Sequence, residues 1–117
     1  MTTKSTQDPL DEMADRIGSE RVLAEAKKAD DWITELTELV IAANIWGAEN
    51  NYPSVDYYPQ YSRARTIGKE LVNWGGRMKI LQTAHRSVKK RLDQRGVGQY
   101  DLNLLEFGWS AISGWQP

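Results

Sequence analysis

Few residues in this chain could do chemistry, and their spacing narrows what that chemistry could be. Among 117 residues there is one histidine, His85, and no cysteine. A transition-metal site draws on several nitrogen or sulfur ligands. The Ser-His-Asp arrangement needs a histidine held between a carboxylate and a nucleophile. His85 instead falls in line with Met78, Leu81, Val88 and Leu92 at helical spacing, the position of a core histidine with satisfied ring nitrogens. The carboxylates Asp11, Glu12, Asp15, Asp30 and Asp31 sit at helix starts or on polar faces, where the helix dipole favours negative charge. Glu35 and Glu38 share a helix surface, but neither belongs to the Glu-x-x-His pair of a di-iron site. The glycines of "GVG" and "WGGRM" lack the lysine and the spacing of a phosphate loop. No catalytic residue, metal or cofactor is assigned.

Two stretches could instead bind. Residues 49 to 61, "ENNYPSVDYYPQY", hold four of the five tyrosines and two of the four prolines. Tyrosine offers a large rigid surface at low entropic cost, which suits recognition. It also suits a packing elbow, with the ring covered and the hydroxyl wet. The second stretch is "RMKILQTAHRSVKKRL", where Lys79, Arg86 and Lys90 align at i, i+7 and i+11 opposite the apolar face. With Lys89, Arg91 and Arg95 they form a basic ridge that could contact phosphates, or simply a solvated face. No helix-turn-helix or similar module fits around it.

The elements that position these residues read as helices throughout. Asp8-Pro9 opens a short helix carrying Leu10, Met13 and Ile17, ended by Gly18. Ser19 caps a long helix to Trp46, in which Val22, Ala26, Ala29, Ile33, Leu36, Val40 and Ala43 recur at spacings of four and three. A second stripe (Trp32, Leu36, Leu39, Ala43, Trp46) runs beside it, and Asp30-Asp31 could alternatively cap a separate helix. Ala64, Ile67, Leu71 and Trp74 mark the next helix, closed by Gly75-Gly76. The basic helix follows, then the turn "RGVGQY". A last helix, capped by Asp101, carries Leu102, Leu105, Trp109 and Ile112. No segment alternates like a strand. The expected fold is an all-α, compact bundle of four to five helices: residues 1–7 form a disordered N-terminus and residues 8–117 a single helical domain.

The longest apolar run, Leu39 to Ala43, is far short of the roughly 20 residues of a membrane span. No signal peptide is visible, and the lack of cysteine suits a reducing cytoplasm. The net charge of −1 conceals a division. Through Asp56 there are 12 acidic and 5 basic residues; from Tyr57 onward there are 4 acidic and 10 basic. Segregation of this kind raises the question of partners.

"RARTIGKELVNWGGRMKIL" followed by "LLEFGWSAISGW" resembles a pattern in small bacterial helical proteins without assigned function. In these an Arg-x-Ile-Gly-x-Glu-Leu helix leads to Gly-Gly, and a late helix ends in Gly-Trp. The resemblance covers residues 63 to 116. It implies a bacterial or phage-like source and a packing role for Gly68, Gly75 and Gly76, but no activity.

These readings point to a non-enzymatic protein-interaction module, acting as a small subunit, adaptor or regulator. The expected interface residues are Ile41, Ile45, Trp46, Tyr52, Tyr57 and Tyr58. The partner is another protein or a second copy. A homodimer is expected, because Ile41 and Ile45 point away from both apolar stripes of the long helix. One alternative is a nucleic-acid-associated protein touching phosphates through Lys79, Arg86 and Lys90. A second is an enzyme with a carboxylate or tyrosine site, which would need a polar pocket around Glu35, Tyr57 or His85.

Overall fold

The computed structural model describes residues 19–75, 80–96, 99–112 and 115, with side chains from residue 27 onward. The short helix expected from Asp8 to Ile17 lies outside the described residues, as do Gly76, Met78 and Lys79. Four α-helices are described: α1 (Ser19–Glu49), α2 (Tyr61–Gly75), α3 (Ile80–Gln94) and α4 (Asn103–Gly108). A single 3₁₀ turn, Val55–Tyr57, lies between α1 and α2, and no strand occurs among the described residues. The all-α expectation therefore holds. Asp30-Asp31 does not interrupt α1, which is one continuous helix of 31 residues, about 46 Å at 1.5 Å per residue.

The chain divides into two compact units, residues 1–31 and 32–117. In the first, the described side chains include an exposed Lys27–Asp31 ion pair of 3.1 Å at i, i+4, a spacing that favours such pairs on a helix surface.

The second unit carries the core described here. Within it α1 buries Trp32, Leu36, Val40, Ala43 and Gly47, one stripe of a 3.6-residue repeat. Ala64, Ile67, Gly68 and Leu71 do the same on α2, and Leu81, Ala84, Val88 and Leu92 on α3. Leu102, Leu104, Leu105, Trp109 and Ile112 complete the cluster. Burying such side chains removes apolar area from water, which is the main favourable contribution to folding.

At Gly68 helix α2 lies against Trp109, the residue that follows α4. A Cβ there would come within 2.5 Å of Trp109 Nε1 and 2.6 Å of its Cδ1, so only glycine admits the indole. The fully buried Trp109 ring donates its N–H to the Ala64 carbonyl at 2.9 Å, which satisfies the polar atom that burial would otherwise penalise.

The last helix is shorter than its apolar spacing suggests. It ends at Gly108 rather than continuing to Ile112, because the chain turns there. Arg65 Nη1 donates to the carbonyls of Gly108 and Ser110, each at 2.8 Å, and Ala111 adopts a left-handed φ of 67°. A guanidinium on terminal carbonyls also suits the negative end of the helix. Asp101 does not cap the helix from the expected position; its carboxylate accepts from Asn103 N at 3.1 Å, and Leu102 occupies the cap position. Asn44 ties this entry to α1: its amide donates to the Asp101 carbonyl at 2.9 Å, and its oxygen accepts from Asp101 N at 3.0 Å.

Candidate functional site

The segment after α1 begins with a helix ending under strain. Asn50 N and Tyr52 N return to the carbonyls of Trp46 and Gly47 at 2.9 and 2.8 Å, closing the terminus as a C-cap does. That closure places Asn51 and Tyr52 at φ of 66° and 51°. Asparagine tolerates the left-handed region; a tyrosine there costs about 1 kcal/mol. Pro53 and Ser54 lead into the 3₁₀ turn, where the Ser54 hydroxyl donates to Asp56 Oδ1 at 2.6 Å. A second turn follows, in which Tyr61 N donates to the Tyr58 carbonyl at 3.0 Å with Pro59 at the favoured position after it.

The four tyrosines of this segment therefore separate. Tyr58 packs its ring on Trp46 at a centroid distance of 4.8 Å. Its hydroxyl lies over Gly47, where a Cβ would approach it to 2.5 Å. Burial raises its pKa above the ordinary phenol value, and the Asp101 carboxylate adds to the shift. Tyr61 is partly buried against the core. Tyr52 and Tyr57 remain 68% and 72% exposed. The segment thus has a packed pair, Tyr58 and Tyr61, and an exposed pair, Tyr52 and Tyr57.

Of the expected interface residues, Trp46 and Tyr58 cover one another within the chain, and Ile41 is partly buried against the core. Ile45, Tyr52 and Tyr57 stay open, Ile45 at 47%. Sequence reasoning missed Phe107, which is 58% exposed on α4 and lines a groove of about 320 Å³ with Pro53, Ser54, Val55, Asp56 and Tyr61. The available signal was its position between Leu104, Leu105 and Gly108, the buried side of a short helix. That spacing leaves position 107 facing out.

The basic ridge also divides. Arg86, Lys89 and Lys90 are exposed on α3, and Arg86 reaches only Thr83 Oγ1, at 3.4 Å, among the hydrogen bonds of its guanidinium to described side chains. Arg91 instead donates to Thr34 Oγ1 at 2.7 Å, and Arg95 pairs with Glu38 at 2.5 Å. Arg63 of α2 forms a two-pronged bond with Glu35, 2.6 and 2.9 Å, and lies 3.7 Å from Glu70. The Arg63 bond holds the Glu35 carboxyl below its ordinary pKa against the opposing effect of burial, and Glu35 in turn raises Arg63. So the acidic α1 and the basic α2 and α3 meet inside one chain. The segregation of charge along the sequence is in part an internal pairing of helices.

His85 is held rather than free. Its Nε2 lies 3.0 Å from Glu106 Oε2 and its ring 5.5 Å from that of Trp115. Trp115 donates to the Glu106 carbonyl at 3.1 Å and meets Trp109 edge to face at 5.3 Å. A cavity of about 330 Å³ beside this cluster is lined by His85, Lys89, Leu92, Asp93, Tyr100, Asp101, Leu102 and Glu106. A carboxylate on one ring nitrogen could orient an imidazole as a base, but this lining contains no hydroxyl nucleophile other than the Tyr100 phenol. Glu35 is engaged by Arg63, and Tyr57 lies in the open. Among the described residues no group of three or more His, Cys, Asp or Glu is placed to hold a metal ion, and no helix is long and apolar enough to cross a membrane. Comparison with protein-family models, with curated proteins and with solved structures gives no match for this chain.

Proposed function

We propose that this chain is a protein-interaction module and that its contact surface is the aromatic end formed by Tyr52, Tyr57 and Phe107. The observation that carries the reading is Tyr52. Its backbone is held left-handed at φ 51° while its ring stays largely exposed, so the fold receives little burial in return for the strain. A glycine or asparagine would serve the turn better, and strained positions of this kind concentrate where a surface has work to do. Phe107 adds a large exposed apolar ring on a helix that buries Leu104, Leu105 and Gly108, and exposed aromatic rings mark contact sites. The test compares proteins captured from extract by three baits: the unaltered chain, Tyr57→Ser with Phe107→Ser, and Arg86→Ser with Lys90→Ser. The reading expects a captured protein to be lost from the aromatic variant alone. Loss from the basic variant, abolished by nuclease, would favour the nucleic-acid reading instead.

A second copy of the chain is the other candidate partner, favoured by Ile45, which stands 47% exposed one turn beyond Ile41. Because Ile41 already rests on the core, the apolar area left to a two-fold contact is small, and stable interfaces need roughly 800 Å² per partner. Sedimentation equilibrium of the chain and of Ile45→Glu measures this directly: a mass that rises above 13.3 kDa only in the unaltered chain would make it a homodimer.

A further inference from the structure

We propose that the groove between Pro53, Val55, Tyr61 and Phe107 docks an extended peptide segment carrying an arginine or lysine beside an aliphatic residue. The inference rests on the protein-interaction reading above and adds the chemistry of the partner. The groove holds about 320 Å³, room for an aliphatic side chain, and its ring and proline walls are apolar. Among the described residues, the one charged side chain in its lining is the Asp56 carboxylate. From Trp46 to Tyr61 the sequence has two carboxylates, Glu49 and Asp56, and no lysine, arginine or histidine. Of the nearest arginines in sequence, Arg63 is paired with the Glu35 carboxylate, while Arg65 keeps its charge and directs it to the carbonyls of Gly108 and Ser110. The segment also follows the carbonyl end of a 31-residue helix, which carries partial negative charge.

Asp56 supplies the specific contact. It is exposed, and the Ser54 hydroxyl occupies only Oδ1. Among the described residues Oδ2 has no partner. The Ser54 bond fixes the carboxylate in a position to receive a guanidinium or ammonium, and such charge-assisted bonds are the stronger ones. Tyr57 and Phe107 offer exposed ring faces on which an arginine can also rest by cation–π attraction. A basic group beside an aliphatic one satisfies both halves of the surface; an acidic segment would meet repulsion.

The test uses the full chain, labelled with nitrogen-15, and three acetylated, amidated probe peptides: Leu-Arg-Leu, Leu-citrulline-Leu and Leu-Glu-Leu. The arginine peptide is expected to shift the amides of residues 54 to 57 and 107 and to saturate at millimolar concentration. Citrulline, the neutral isostere, should bind about two- to fivefold more weakly, the range expected for a solvent-exposed ion pair, and the glutamate peptide more weakly still. Asp56→Asn should bring the arginine peptide down to the citrulline value. Equal binding of all three peptides would overturn the proposal while leaving an apolar protein contact standing. Shifts at these amides that follow protein concentration alone would assign the groove to a second copy and overturn it as well. No shift with any peptide, in a chain whose baits still lose a partner with Tyr57→Ser and Phe107→Ser, would overturn the peptide chemistry without touching the interaction reading.

Discussion

Gly68→Ala tests the packing argument through the sign of its effect. At an exposed helical position, alanine in place of glycine stabilises by about 1 kcal/mol. At Gly68 the new methyl would meet the Trp109 ring at 2.5 and 2.6 Å and Ile112 Cδ1 at 3.2 Å. The fully buried indole has little room to withdraw, and forcing a methyl into a filled core costs about 1–3 kcal/mol. Any movement also stretches the 2.9 Å bond to the Ala64 carbonyl, and leaving that buried N–H unpaired costs about 1–3 kcal/mol. Against the propensity gain, the net expectation is a loss of about 2 kcal/mol. Urea unfolding followed by tryptophan fluorescence reads it as a lower midpoint at unchanged slope. Combining Gly68→Ala with Trp109→Leu should destabilise by less than the sum of the two changes, because the smaller side chain no longer opposes the methyl. A neutral or stabilising Gly68→Ala, or strict additivity in the pair, would refute the close packing of Trp109 on Gly68.

The other predictions rest on separate parts of the second unit. Leu36→Ala and Leu81→Ala, both fully buried, should each cost about 2–5 kcal/mol in the same assay. Ala111→Gly should raise stability by about 0.5 kcal/mol, since it relieves the φ of 67° at the expense of some backbone entropy. Glu35 has a folded-state pKa below its unfolded value, so its contribution is present above the unfolded carboxyl pKa and is lost as pH falls through the depressed one. Glu35→Gln should therefore flatten the acid side of the stability–pH curve below about pH 4.5; with its side chain 40% exposed, the effect is held to about 0.5 kcal/mol.

The helices and most of their buried faces were legible in the sequence because a 3.6-residue apolar repeat has one reading when it is sustained. Leu36, Val40, Ile67, Leu81 and Val88 all fall where the repeat places them. The end of α4 was not legible: the spacing of Leu105, Trp109 and Ile112 is helical, and the turn after Gly108 depends on Arg65, more than 40 residues earlier in the chain. Asn44 was hidden for a similar reason. Within the apolar run "VIAANIW" nothing local shows that it bonds both ways with Asp101, 57 residues on. The basic ridge was half legible. Charge and register were right for Arg86 and Lys90, but a wheel drawn for one helix cannot show that Arg91 and Arg95 turn toward α1. For the tyrosine segment, composition showed aromatic surface. Only the backbone separates the packed Tyr58 from the strained, open Tyr52.

The central claim is that the aromatic end, rather than the basic face of α3, is where this chain meets a partner. Photocrosslinking with benzoylphenylalanine tests it most directly, with the probe placed in separate experiments at position 57, which is 72% exposed, and at position 90 on the exposed face of α3. Irradiation in the source cell should give a discrete protein adduct from position 57 and none from position 90. Adducts from position 90 alone, to protein or to nucleic acid, would contradict the account.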